Sequence, residues 1–376
     1  MTYDFVIIGA GISGAAAAFE LSGLGSVALV EAESAPGYHA TGRSAALFTP
    51  LYGAPTVRQI SAASYAFLSA PPDGFCHTPL LTPRGQLTVA GPLQEAGLAD
   101  LLALSCATNP VTELTASETL ELLPFLRPER VVAGAIEAGV TDIDVASLLA
   151  SYLRAFKARG GTLMTGQPVT GLTRGRAGWI ITTSKSVISG RTVINAAGAW
   201  AGQIGALAGA VDIGLIPMRR TAIVVEPPAG LNVAALPAAD FIGTNAYLKP
   251  EAGKLMASPG DRTPSEPQDA RPEELDIAIL ADWLETETLI KVRRINHSWA
   301  GLRSFVSDDV PVVGFDPVAP DFFWLAGQGG FGIMMAPALG RAVVSLIAKS
   351  DLPDDISARG IAKDDLSPNR LVAPRS

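Results

Sequence analysis

The sequence predicts an α/β chain in two parts: a nucleotide-fold half on a parallel sheet, and a discontinuous α+β half on a mixed or antiparallel sheet. Three observations carry this. Phe5–Ile8 is an uncharged, mostly β-branched run that turns through glycines into an Ala-rich stretch. That is the pattern of a doubly buried strand feeding a helix. Strand-like runs recur at the start, middle and end of the chain, so one half is assembled from separated segments. Hydrophobic residues make up 48% of the 376 and charged residues 17%, which suits a large core and excludes global disorder.

The elements follow in order. Phe5–Ile8 is the first strand and Ala15–Leu24 the first helix, ended by Gly25. Val27–Val30 is a second buried strand, completing a βαβ unit. Residues 35–60, rich in Gly, Pro, Ser and Thr, read as loop. Residues 92–127 carry helical patterns, and Val145–Lys157 reads as a helix capped by Asp144. Thr162–Thr165, Trp179–Thr183, Thr192–Asn195 and Thr221–Val225 read as strands. Pro259–Pro272 reads as a surface loop and Glu273–Ile290 as a helix. Phe322–Ala326 is a last buried strand, leading through Gly327–Gly330 into a helix from about Ile333 to Lys349.

Composition narrows the function. Lys plus Arg is 28 and Asp plus Glu is 36, a net charge of −8, which argues against nucleic-acid binding and against a polybasic membrane anchor. Mean hydropathy is high, at +0.31. Yet Gly9–Val30 is interrupted by Glu20 and Ile333–Ala348 by Arg341, so no transmembrane segment is expected. Thr2-Tyr3-Asp4 does not read as a signal peptide. Two cysteines are too few for a disulfide framework. A cytoplasmic location is expected, with loose membrane association left open.

Gly9, Gly11 and Gly14 form G-x-G-x-x-G between strand and helix, and Glu31 ends the second strand. Gly9 permits the turn, Gly11 admits a pyrophosphate to the helix N-terminus, and Gly14 lets helix and strand close-pack. Ile12 and Ser13 complete the turn, and Glu31 with Ala32 faces the ribose. Two later glycine turns, Ala196–Trp200 and Gly327–Gly332, fit a long ligand lying across several strand ends. FAD is such a ligand.

Four strings then identify a resemblance: Gly37–Ala46, Tyr247–Pro250, Trp299–Phe305 and Gln328–Ile333. The chain resembles the FAD-dependent oxidoreductases of the D-amino-acid oxidase and glycine oxidase type, nearest to bacterial D-arginine dehydrogenase. The order of elements suggests an FAD-binding half of residues 1–79, 141–210 and 303–376 and a substrate half of 80–140 and 211–302, and the resemblance implies that FAD lies between the two. It places Arg43, Ser44 and Ala46 along the flavin and its phosphates, and Val169 at the adenine. Ala197 and Gly198 fall near ribose and pyrophosphate, with Trp200 among the cofactor contacts. Gly330 and Ile333 close on the flavin, joined by Gly301, Gly329, Phe331 and Gly332. Arg220 and Arg303 resemble the pair that grips a substrate carboxylate, with Tyr247 beside them and Tyr52 on a loop above.

Arginine meets a carboxylate through two parallel hydrogen bonds. Arg303 also sits in an apolar run, where a charge is costly without an anion. Arg219 reads as a solvated strand-end charge. Leu47, Thr49, Gln86 and Met334 are assigned to the substrate pocket. Leu47 and Met334 replace polar residues of D-arginine dehydrogenase, and Gln86 replaces the glutamate that receives the substrate guanidinium. The expected substrate is therefore a neutral, apolar D-amino acid or a related secondary amine. Hydride would pass from Cα to flavin N5, giving an imino acid and then a 2-oxo acid and ammonia. His39, His77 and His297 are not expected to act as bases or metal ligands, and no metal is expected. Cys76 and Cys106 read as packing residues, and with no cysteine after Cys106 the FAD is expected to be non-covalent. The electron acceptor is expected to be quinone-like, with oxygen the alternative. A catalytically lapsed FAD-binding module is the rival from another class.

Overall fold

The computed structural model describes residues 2–372; Met1 and residues 373–376, at the ends of the expected FAD-binding half, lie outside them. Thr2–Ile8 pairs in parallel with Val27–Val30 on one side and with Val187–Asn195 on the other. Thr162–Met164 extends the first side and Phe322–Ala326 the second, both in parallel. Val169–Gly175, Gly178–Thr183 and Val312–Phe315 add antiparallel edges, making eight strands. The parallel strands all end at one rim of the sheet. Gly9, Glu31, Ala196 and Gly327 follow four of those ends, which is where open α/β sheets bind ligands.

Helix Ile12–Leu21 is Ala-rich because it is packed on all sides, with Ala15–Ala18 almost wholly buried. It lies between helices Val145–Ala158 and Gly332–Ile347. Asp144 caps the former, accepting from the Ser147 N–H at 2.9 Å.

The second sheet has nine strands. Its path runs through Thr263–Pro264, Ile216–Val225, Lys254–Ser258, Tyr247–Glu251, Ala238–Phe241, Gln86–Ala90, Ala133–Glu137 and Thr112–Thr115. Ile295–Phe305 pairs antiparallel with Ile216–Val225. One face, carrying Leu87, Ile223, Leu248 and Ala257, packs with Leu280 and Leu284 of helix Glu274–Glu287. A small sheet of Leu47–Phe48, Thr141–Ile143 and Leu81–Pro83 completes the fold.

Three readings of the sequence change. The loop at 35–60 gives way at Pro55 to a helix running to Ser69. Its buried face includes Ser61 and Ser64, which blur the apolar period. Ser64 is there because the last long helix contains Pro337: the Ala338 N–H donates to Ser64 Oγ at 3.0 Å. The strand read from Thr221 begins at Ile216, so Arg219 and Arg220 lie within it. Residues 92–127 hold two short helices, Glu95–Leu102 and Ala116–Leu122, with a strand between. No helix among the described residues is long and apolar enough to cross a membrane.

Candidate active site

A cavity of about 670 Å³ lies between the rim of the parallel sheet and the second sheet. On the first side it is walled by Gly9, Gly11, Ile12, Ser13, Glu31 and Ala32. Val169, Ala197, Gly198 and Trp200 continue that wall, and Gly329, Gly330, Gly332 and Ile333 close it. At Gly9 and Gly14 the backbone leaves no room for a side chain. A Cβ on Gly14 would sit 1.9 Å from the Gly9 carbonyl oxygen, and Gly9 holds φ at +102°. Gly14 therefore acts behind the wall, through helix–strand packing.

Helices Ile12–Leu21 and Gly332–Ile347 both begin at this cavity, so their positive ends face it; Thr41 Oγ1 accepts from the Ile12 N–H at 3.0 Å, while no N-cap side chain serves the second helix. The Glu31 carboxylate is fixed by the N–H groups of Ala10 at 2.7 Å and Glu33 at 2.9 Å. Each of its oxygens retains a further acceptor position for a ribose hydroxyl. Two buried polar atoms in residues of the wall, Gln328 Nε2 and Ser304 Oγ, have no protein partner. Two helix N-termini, glycine turns and orphaned polar atoms together fit a dinucleotide with an attached ring system.

Arg43 departs from its expected place along the phosphates. It borders the cavity, but its guanidinium donates to the carbonyls of Ala270 at 3.0 Å and Ala300 at 2.9 Å and pairs with Asp269. It clasps its loop to the second sheet. The Trp299 indole adds a bond to the Arg43 carbonyl at 3.1 Å. Ser44 stays on the cavity wall, whereas Ala46 turns the chain at φ +48° and is not on it. Phe331 packs into the core beside the site.

The second sheet contributes Arg220, Tyr247, Gly301 and Arg303 to the same cavity. Register explains how distant residues meet: Arg220 is opposite Gly301, and Met218 is opposite Arg303. Gly330 makes room for the clamp, since a Cβ there would lie 2.9 Å from Arg303 Nη1. The two guanidinium groups repel. Burial first, then Arg303, pulls Arg220 below its ordinary pKa, while Tyr247, Tyr52 and Asp261 oppose this. Arg220 Nε donates to the Asp261 carbonyl at 2.8 Å. Arg303 has neither a hydrogen-bond nor an ion-pair partner among the described residues, although it is only partly exposed. Two crowded, part-buried cations, one of them unpaired, call for an anion between them. Asp261, which holds Arg220, was not singled out from the sequence. Arg219 is not the solvated charge expected of it: it is buried and paired with Glu273 and Asp276.

The expected substrate-pocket residues do not line this cavity. Met334 is buried in the core, where its sulfur accepts from the Thr49 N–H at 3.3 Å. That contact also holds Thr49 away from the cavity. Leu47 sits in the small sheet opposite Asp142. Gln86 lies on a further strand, within hydrogen-bonding reach of Asp240. Tyr52 is 46% exposed, with its ring 5.0 Å from that of Phe331. His39 borders the cavity, bonded to Glu33 at 2.9 Å and set against Trp200. His77 and His297 are exposed, and so is Cys106, which is not a packing residue.

Residues 4–346 match the family described as DAO, FAD dependent oxidoreductase. Among curated relatives, glycine oxidase of Geobacillus kaustophilus is 24% identical over 251 residues, 66% of this chain and 65% of that protein. The mouse mitochondrial dimethylglycine dehydrogenase is 26% identical over 270 residues, with only 30% of its length matched. The chain thus matches less than two thirds of the length of these relatives. Among solved structures, L-alpha-glycerophosphate oxidase of Mycoplasma pneumoniae with FAD bound superposes with a TM-score of 0.81 at 21% identity, covering 93% of this chain and 95% of that one. Iminodiacetate oxidase of Chelativorans sp. BNC1 gives 0.80 at 22%, covering 97% and 98%. These structural likenesses carry the fold.

Proposed function

We propose, because the chain belongs to the DAO family of FAD-dependent oxidoreductases, that it oxidises the Cα–N bond of an amino acid, with a D-amino acid preferred. The observation that carries this is the unpaired Arg303 beside Arg220 on the cavity wall. FAD, when bound, supplies the acceptor for the hydrogen and electron pair leaving the substrate. The turn from Gly9 to Gly14, Glu31, Ala197–Gly198 and Gly329–Ile333 would hold it, without a covalent link. Names of similar proteins agree in chemistry: glycine oxidase and iminodiacetate oxidase both imply amines that carry a carboxylate.

Arg220 and Arg303 hold the carboxylate, and Tyr247 donates its phenol to the same group. Two fixed cations and a rigid phenol orient Cα toward the flavin side of the cavity, which lowers the entropic part of the barrier. The amine reacts in its neutral form, because an ammonium has no lone pair to form the C=N bond. No side-chain base is required, because water or selection of the neutral substrate supplies that form. The imino acid then hydrolyses to a 2-oxo acid and ammonia.

The sequence resemblance to D-arginine dehydrogenase favours a dehydrogenase with a quinone-like acceptor, and the two-cysteine composition favours the cytoplasm. Hydrogen peroxide formation would instead mark an oxidase. The test is anaerobic flavin bleaching across a panel of D- and L-amino acids and N-methyl glycines. Bleaching by α-amino carboxylates, faster with the D-forms, is the expected result. A yellow protein that none of them bleaches would mark a lapsed module and overturn the reading.

A further inference from the structure

We propose that Asp240 and Glu137 form a second recognition point, one that receives a substrate side chain ending in an ammonium or guanidinium group. This rests on the amino-acid reading above and specifies the side chain that the clamp presents.

Strand alternation puts the pair on the clamp's face of the sheet. Leu248, Phe241, Leu87 and Ile136 belong to the opposite, core face. Their neighbours Tyr247, Asp240, Gln86 and Glu137 therefore share the face that bears Arg220. Asp240 is directly opposite Tyr247, which walls the cavity. Gln86 is directly opposite Glu137 on the next strand pair. Asp240 is thus one strand beyond the clamp, and Glu137 two strands beyond Asp240. A substrate held by its carboxylate could run its side chain along this row.

The second observation is the state of the two carboxyls. Glu137 is only 6% exposed, and its side chain has no hydrogen-bond or ion-pair partner among the described residues. Asp240 accepts from Thr88 Oγ1 at 2.6 Å but has no cation beside it. Asp240 is half-buried. Nearby cations are engaged elsewhere. Lys249 bonds the Ala45 carbonyl and Asp142, and Arg84 bonds Asp142 and the carbonyls of Ala234 and Leu236. Burial and mutual repulsion raise Glu137 to a pKa of about 7, and burial raises Asp240 despite its bonds to Thr88 and Gln86. A buried acidic pair without a cation lacks the partner that would make it favourable. The apolar slot expected from Gln86 is therefore reversed at this end: the carboxylate absent at 86 is supplied by Asp240 and Glu137.

The test compares cationic D- and L-amino acids with neutral isosteres: arginine with citrulline, lysine with norleucine. The expected kcat/KM is at least about tenfold higher for the cationic member, the scale of a charge-assisted bond. Asp240→Asn and Glu137→Gln should each remove most of that preference, while alanine, too short to reach, stays within about threefold. Binding without turnover gives a second readout. In wild type, ω-amino carboxylates of four to six carbons should raise the melting temperature more than plain carboxylates do, and in the variants equally. Neutral isosteres matching the cationic substrates, or variants that slow alanine as much as lysine, would overturn the proposal. Bleaching by alanine and norleucine but not lysine would overturn it while leaving the amino-acid reading intact. A flavin that no amino acid bleaches would overturn both.

Discussion

The two walls of the cavity recognise their ligands by different physics. The wall on the parallel sheet works through backbone: glycines at strand ends, two helix N-termini and a carboxylate fixed by two N–H groups. The wall on the second sheet carries charge: Arg220 and Arg303 lie on adjacent strands. Gly9 and Gly14 tolerate no added atom, whereas charge tolerates substitution at a graded cost. The same cavity is therefore rigid toward its cofactor and tunable toward its substrate.

The sharpest break would come at Gly14. Gly14→Val puts carbon where the Gly9 carbonyl already lies, so the purified protein should be colourless, with flavin content near zero by absorbance. Removing charge from the other wall should act differently. Arg303→Ala should keep its flavin but lose about 10²- to 10³-fold in kcat/KM, the scale of deleting one member of a buried charged pair. Loss of flavin from Arg303→Ala would mean that the two walls are not separable.

A pH series sharpens the contrast further. Glu137 has an ordinary pKa of 4.5 and reaches about 7 in the fold. The folded state therefore binds its proton more tightly than the unfolded state. Stability from this group is complete below about pH 4.5 and is lost as pH rises through 7. The size is about 3 kcal/mol at most. Glu137→Gln has no proton to lose, so it should melt above wild type at pH 8 and level with it below pH 5. Thermal melts of ligand-free protein at both pH values decide this. The smallest effect is expected at Arg43, whose charge clasps the two walls. Arg43→Met should cost about 1–2 kcal/mol in stability while the flavin spectrum is retained. Loss of flavin instead would restore the phosphate role that the sequence suggested.

Legibility in the sequence follows the same division. The parallel-sheet wall is contiguous: strand, glycine turn, helix and Glu31 fall within the first βαβ unit, so local pattern exposes them. The clamp could be read only because Arg303 is a charge stranded in an apolar run and because four strings resemble a family. The same logic applied to Ala133–Glu137 and Ala238–Phe241, each an apolar strand with one acid, would have found Glu137 and Asp240. What could not be read was register. Met334 lies next to Ile333 in sequence, yet helical rotation turns Ile333 to the cavity and Met334 to the core. Asp261 holds Arg220 through its carbonyl at 2.8 Å and its carboxylate at 3.8 Å, a pairing across 41 residues that no local pattern reveals.

The central claim is that Arg220 and Arg303 select a substrate by its carboxylate. The direct measurement is anaerobic flavin reduction by the best amino acid and by its carboxamide, in wild type and in Arg303→Ala. The account predicts that wild type reduces at least about 100-fold faster with the acid than with the amide, and that the ratio collapses in the variant. Equal rates for acid and amide in wild type would contradict it.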